Sequence, residues 1–205
     1  MKQPEDPSIF HITHINNLPG IIAQNGLWCD REVITRSLSN TNIGLRRIKQ
    51  RRMARAVTTE AGGTLGEYVP FNFCPRSVML YAIHRGHDDW SGGQNNIIHL
   101  VSRFSIASSL NRDWLFTDRH AEVGHALHFD DPTRLDQVPW HVMDERYWAD
   151  VKEERQAEFL VRTFFPWTAV TSIAVIDKST QESVNVILSD AMHRPEVYVK
   201  PNWYY

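Results

Sequence analysis

Hydrophobic and polar positions along this chain divide into short blocks, and most of the apolar blocks carry a strand-like signature. Tyr68–Phe73 alternates with the two-residue period of a half-buried strand. Ile97–Phe104, Ala157–Phe165 and Thr171–Asp177 are compact apolar runs, with Ser8–Thr13, Trp114–Thr117 and Val197–Lys200 as shorter extended pieces. Helices are predicted from Asn16 as cap through Asn25, with Pro19 in the first turn and Gly26 as the stop, over Leu45–Ala56, and over Ser183–Met192. A helical turn ends over Ser108–Asn111, and Asp131-Pro132 opens another. Thr35–Gly44, Gly62–Gly66, Asp88–Asn96 and Asp144–Arg155 read as loops, the last with one helical turn. Residues between Cys74-Pro75 and Asp88 receive no element. Short strands and helices mixed without strict βαβ alternation predict an α+β fold.

The length of 205 residues predicts one domain, large enough to bury about 70% of the surface of its unfolded chain. Apolar content of 42% and charged content of 22% fit a globular protein and argue against wholesale disorder. Two cysteines give no disulfide framework, and a reducing cytoplasm is the expected setting. The start of the chain has no apolar run of a secretory signal, and no stretch approaches a membrane span.

Charge alters this picture. The net charge is −2, yet between Arg31 and Arg55 there are eight Lys/Arg and one acidic residue. The acids gather over Asp130–Glu158. The basic stretch runs through Gly62-Gly63 into an aromatic segment, Tyr68 to Tyr81, that carries Arg76. Cations beside flat rings suit a polyanionic ligand with stacking bases, although a charge run can equally be a solvated helix face.

Individual residues sharpen the question. At helical spacing Leu45, Ile48 and Arg52 share a stripe, so Arg52 turns toward the apolar side while Arg46, Arg47, Lys49 and Arg51 point elsewhere. An inward arginine is either half of a structural ion pair or a cation held in a cleft. Glu158 opens an apolar strand and shares a face with Leu160 and Arg162, so it is a site carboxylate or a strand-end charge reaching water. His11 and Thr13 share a strand face near the start, and His120 is either a polar site group or a surface residue. Spacing of the ten histidines matches no metal motif, and none is predicted. Neither a Rossmann glycine fingerprint nor a phosphate-binding P-loop occurs.

Seven blocks in order then carry a likeness: His11 to Leu18, Ile48 to Arg52, Gly62-Gly63 to Tyr81, Gly92-Gly93-Gln94, Phe116 to His120, Ala157 to Val161, and Trp203-Tyr204-Tyr205. Together they resemble DarT, the DNA ADP-ribosyltransferase toxins of bacterial toxin–antitoxin pairs, in the branch that modifies thymidine. The resemblance implies an ADP-ribosyltransferase-like fold of central split mixed and antiparallel sheets with flanking helices. It implies NAD⁺ as co-substrate without a metal, and transfer of ADP-ribose to a thymine ring nitrogen in single-stranded DNA, which blocks replication. A macrodomain-bearing antitoxin that removes the mark, and a monomeric toxin, are implied with it.

Matched residue by residue, Glu158 and Arg52 take the catalytic positions. His11, Ile12, Thr13, Gly20, Trp28 and Arg52 take the NAD⁺ contacts, and Arg51, Tyr68, Phe71, Arg76, Tyr81 and His120 are assigned to DNA. Asn72 and Val78 depart from the family pattern, which has an aromatic residue and a proline there. The same fold acting on guanosine, RNA or protein, and a non-catalytic single-strand binder, are the alternatives.

Overall fold

The computed structural model describes residues 2–205. Ten strands form: β1 Ser8–His14, β2 Gly26–Trp28, β3 Tyr68–Asn72, β4 Ile97–Arg103, β5 Trp114–His120, β6 His128–Phe129, β7 Ala157–Arg162, β8 Phe164–Pro166, β9 Ser172–Val175 and β10 Glu196–Val199. Seven α-helices flank them: α1 Leu18–Ala23, α2 Asp30–Thr35, α3 Arg46–Ala54, α4 Val78–Arg85, α5 Phe104–Ser108, α6 Trp140–Met143 and α7 Lys178–Leu188. Eight strands make one sheet in the order β10-β9-β4-β1-β3-β7-β5-β6, and β2 pairs with β8 in a second. Only β9 and β10 run parallel, joined through α7. The fold is α+β, as the sequence predicts.

The large sheet is nearly two sheets. β1 is laddered to β4 along its whole length, and β3 to β7 along its whole length. Between β1 and β3 there is one register pair, Phe10 with Asn72. Beyond it the backbones part, and the Nδ1 of His11 donates to the carbonyl of Pro70 across the gap at 2.8 Å. Pro70 suits this place because a proline has no N–H to offer a partner strand. The split therefore opens beside a strand edge that the sequence itself leaves unpaired.

Packing on the two faces follows the strand period. Phe159 and Val161 of β7 point into the main core with Phe71, Phe116 and Phe165. Leu160 points the other way, into a smaller cluster with Leu65, Tyr68 and Leu115. A third cluster joins Leu80 and Ile83 of α4 to Ile12, Ile97 and Tyr204. The aromatic end of the chain is thus packed against the body, as predicted.

Several expected boundaries move. The run Ala157–Phe165 is not one strand, because Thr163 adopts φ +66 and separates β7 from β8. Gly26 begins β2 instead of only stopping α1, with φ +153, and an added Cβ would collide with the Phe165 carbonyl. α7 starts five residues before the predicted Ser183, where the Asp177 side chain accepts from Thr180 N at 2.8 Å. α4 had no sequence assignment, although Ser77 caps it through Leu80 N and Gly86 ends it at φ +79. Those two residues are the signal that was there to read. Gly62 and Gly63, at φ +63 and +77, turn the chain as expected. No helix among the described residues is long and apolar enough to cross a membrane.

Candidate active site

Glu158 does not reach water. As second residue of β7 it lies opposite Asn72 of β3 and is only 6% exposed. Its neighbours hold it from two sides. Thr117 Oγ1 on β5 accepts from the Glu158 backbone amide at 3.0 Å, and the Ala121 amide donates to the carboxylate at 3.3 Å. A strand-mouth carboxylate is thereby fixed in one orientation before any ligand arrives.

Arg52 meets it from above. It is the one buried residue of α3, and Nη1 donates to both Glu158 oxygens at 3.0 and 2.9 Å. Nη2 is buried with no hydrogen-bond partner among the described residues. A buried donor left unpaired costs on the order of 1–3 kcal/mol, so this nitrogen is a donor that an oxygen entering the cleft would satisfy. The inward turn read from the sequence is correct, and the ion pair forms inside a cleft. α3 itself is anchored at both ends. Lys49 Nζ reaches Asp30 at 2.8 Å, and Leu65 N donates to the Arg55 carbonyl at 2.9 Å. Gly66 lies so close to Met53 that a side chain there would meet the helix backbone.

The cleft these groups face has a volume of about 550 Å³, within the usual range for small-molecule sites. It occupies the split between β1 and β3. His11, Ile12 and Thr13 of β1 line it together with Gly20, Trp28, Arg52, His120 and Glu158. All of the sequence-predicted NAD⁺ contacts therefore line one space. Asn72 and Val78, the departures from the family pattern, line it too.

Protonation along this lining follows from burial. Desolvation lowers the pKa of His11, and donation of Nδ1 to Pro70 leaves Nε2 of the neutral ring as an acceptor. Desolvation likewise lowers His120, more than the nearby Glu158 carboxylate raises it. Trp28 is sandwiched by the ring of Phe164, 4.4 Å away, and the Arg36 guanidinium, 3.9 Å from its centroid. Its Nε1 is a second buried donor without a partner.

Sequence reasoning missed what closes the cleft. Residues 38–44, predicted only as loop, line it as a strap, followed by Leu45 at the start of the predicted helix. Asn17 ties the strap down: its Nδ2 donates to the Thr41 carbonyl at 3.0 Å, and its Oδ1 accepts from Thr41 N at 2.7 Å. The same Nδ2 donates to Thr13 Oγ1 at 3.0 Å. No local pattern announces a bond spanning 24 residues, and only the fold brings these groups together.

Residues assigned to DNA divide into two groups. Tyr68 and Phe71 are corrections. Each is 1% exposed, Tyr68 sealing the smaller cluster with its hydroxyl on the Gly62 carbonyl and Phe71 packed on Phe165 at the lining of the cleft, so neither ring is an exposed stacking surface. Alternation along β3 sends Tyr68 and Phe71 to opposite faces, each into its own apolar cluster. His120 ends β5 and lines the cleft. Arg51 lies outside, held by Glu122 through Nε at 2.5 Å and Nη2 at 3.0 Å. Tyr81 is 38% exposed on α4, and the Arg76 guanidinium lies 4.3 Å from the ring centroid of Tyr205.

Known proteins share this arrangement. The DarT family, described as ssDNA thymidine ADP-ribosyltransferase, matches residues 10–205. A DNA ADP-ribosyl transferase of Thermus aquaticus is 42% identical over 207 aligned residues, covering 100% of this chain and 92% of the relative. The Thermus sp. 2.9 DarT solved in complex with ADP-ribosylated ssDNA superposes with a TM-score of 0.94 at 39% identity, covering all of both chains. The same enzyme solved with NAD⁺ gives 0.89 at 38% identity, again over both full chains. By sequence and by architecture, this chain belongs to the DarT family of single-stranded DNA thymidine ADP-ribosyltransferases.

Proposed function

We propose that this chain transfers ADP-ribose from NAD⁺ to a thymine ring nitrogen in single-stranded DNA, in a defined sequence context, and that Glu158 and Arg52 are the residues that act. The observation that carries this reading is the buried Arg52–Glu158 pair lining the same cleft as Gly20 and Trp28, with Arg52 Nη2 left without a partner among the described residues. The donor set fits the dinucleotide: unpaired N–H groups of Arg52 and Trp28 suit its oxygens, and the acceptor Nε2 of His11 suits a hydroxyl or amide. Relatives solved with NAD⁺ and with ADP-ribosylated ssDNA support the same assignment.

Bound here, NAD⁺ supplies an activated glycosidic bond whose cleavage releases nicotinamide and builds positive charge on the adjoining ribose. Glu158 is a fixed anion beside that charge, and a preset carboxylate that need not reorganise is the largest kind of electrostatic help a site offers. Thymine must lose its ring N–H proton as the new carbon–nitrogen bond forms. Arg52, always protonated, stabilises the ring nitrogen as it becomes anionic. His120, kept neutral by burial in the same cleft, receives the proton. The acceptor nitrogen is a base-pairing atom, so a duplex hides it and a single strand presents it.

The reading extends to biology. The enzyme works as a single-domain monomeric toxin in the cytoplasm, blocks replication by marking the template, and is opposed by a macrodomain-bearing antitoxin that removes the mark. Mass spectrometry of a thymidine-containing oligonucleotide after incubation with protein and NAD⁺ tests the chemistry. One ADP-ribose of added mass, localised to thymidine, is expected. Addition to guanosine, to RNA or to protein instead would overturn the assigned acceptor, and no addition to any of them would overturn the transfer.

A further inference from the structure

The start of α3 is poorly provided for by its own sequence. Its cap position is Leu45, which has no side-chain acceptor, and its first turn carries Arg46, Arg47 and Lys49 with no acid. Positive charge there opposes the helix dipole, and the first amides have no preceding carbonyl to bond. Apolar burial does not compensate, because Arg52 is the one buried residue of the helix. The missing acceptor comes from 43 residues downstream. Asp89 Oδ2 accepts from the Arg46 amide at 2.9 Å, and its Oδ1 lies 3.5 Å from Arg46 Nε.

The turn that presents Asp89 is itself held in place. His87 and Trp90 exchange both backbone hydrogen bonds, at 2.9 and 2.8 Å. The Asp89 amide donates to His87 Nδ1 at 3.3 Å, which leaves the ring proton on Nε2. That nitrogen donates to the Ile43 carbonyl at 3.2 Å, just ahead of α3. Trp90 stands edge-on to His14 at the end of β1, with ring centroids 5.5 Å apart, and its Nε1 donates to the Gly93 carbonyl at 2.9 Å. Gly92 gives the ring its seat, since a Cβ there would lie 2.6 Å from it.

We infer that Asp89 is a positioning residue for Arg52: by capping α3 it sets where the guanidinium stands against Glu158. The inference rests on the proposed roles of Arg52 and Glu158 and deepens them. Arg46 and Arg52 are under two turns apart in a nine-residue helix, so fraying at the first is felt at the second. Arg52 meets the carboxylate through a single nitrogen, so a small shift of the helix changes which donor holds Glu158 and which faces the cleft. Misplacement of this kind costs rate before it costs binding.

The test reads two quantities. Hydrogen exchange over Arg46–Ala54, measured without NAD⁺ or DNA, is expected to run about 2- to 30-fold faster in Asp89→Ala, the range for a lost helix cap, with the strands unchanged. With oligonucleotide saturating, kcat should fall about 10- to 100-fold while KM for NAD⁺ moves less. Asp89→Asn keeps an oxygen for the Arg46 amide and gives up the charge, so it should recover most of both quantities. Unchanged exchange in α3, or faster exchange spread over the whole sheet, overturns the positioning role. An asparagine variant as poor as alanine does so too, since it would reduce Asp89 to a surface ion pair. Transfer with an indifferent Asp89→Ala sinks the positioning role alone. Exchange needs no substrate, so a protein that holds α3 through Asp89 yet transfers nothing sinks the proposed reaction alone.

Discussion

One terminal nitrogen of Arg52 bridges both carboxylate oxygens of Glu158, 106 residues along the chain, and the other has no partner among the described residues. The pair is neutral overall yet has spare donor capacity, so it can be buried and still bind. Neither member is replaceable by a group that only carries the right charge. A lysine at position 52 could reach the carboxylate but would lose the planar fork.

Glu158→Ala is expected to abolish transfer while leaving single-stranded DNA binding within a few-fold of wild type. It also strands a buried guanidinium, and unfolding in urea should register a loss of about 3–5 kcal/mol. Substituting Arg52 by Met in the Glu158→Ala background should recover part of that stability without recovering activity. Retained transfer, or parallel loss of transfer and DNA binding in a folded protein, would remove Glu158 from its role.

Gly66 sets the height of α3. A Cβ there would lie 3.0 Å from the Met53 backbone and against its sulfur, next in sequence to Arg52. Gly66→Ala is therefore expected to push the helix outward, costing about 1–3 kcal/mol of stability by overpacking. Transfer should fall further than stability explains, since small misplacements of reacting groups are amplified in rate. Thermal melting alongside initial rates at saturating NAD⁺ would separate the two effects.

Asn17 fastens the strap through two hydrogen bonds to Thr41 and is itself held by a third to Thr13 of β1. Asn17→Ala should loosen residues 38–44 and raise KM for NAD⁺ about 10-fold, the equivalent of one or two net hydrogen bonds, with a smaller change in kcat. Steady-state kinetics with DNA held in excess would show this split. A fall in kcat at constant KM would place Asn17 in the chemistry instead.

Stability should weaken on mild acidification. Burial lowers the pKa of His11, His14, His120 and His128, and takes His99, closed in by the Pro75 carbonyl and the Tyr204 hydroxyl, down to about 4. The unfolded chain binds protons near pH 6.5 while the native protein does not, so stability is full above that pH and is lost as pH falls toward 4. His99 by itself withdraws on the order of 3 kcal/mol across this window. Melting temperatures at pH 7 and pH 5 should differ clearly, and His99→Gln should flatten the difference.

Much of this was legible along the chain. The apolar run from Ala157 was legible as a strand, and the two-residue period placed Glu158 and Phe159 on opposite faces, although the break at Thr163 was not legible. The stripe Leu45, Ile48, Arg52 likewise singled out one arginine of five neighbouring cations, because helical period is a local property. Tyr68 and Phe71 show where such reading fails. An aromatic residue on a strand is a platform or a core residue depending on what covers it, and nothing within β3 says that Tyr68 and Phe71 are both packed over. α4 was overlooked although its cap and its terminal glycine were present, its eight residues making barely two turns between Cys74-Pro75 and a glycine-containing loop.

Sequence alone determined which side chains carry charge, which stretches form strands and which arginine faces inward, since each depends on neighbours a few residues away. Tertiary structure decided that β1 and β3 part after a single pair, that α3 descends onto β7, and that Asn17 reaches Thr41. Those outcomes come from packing elements far apart in the chain, where the free energy belongs to the contact and to neither partner by itself.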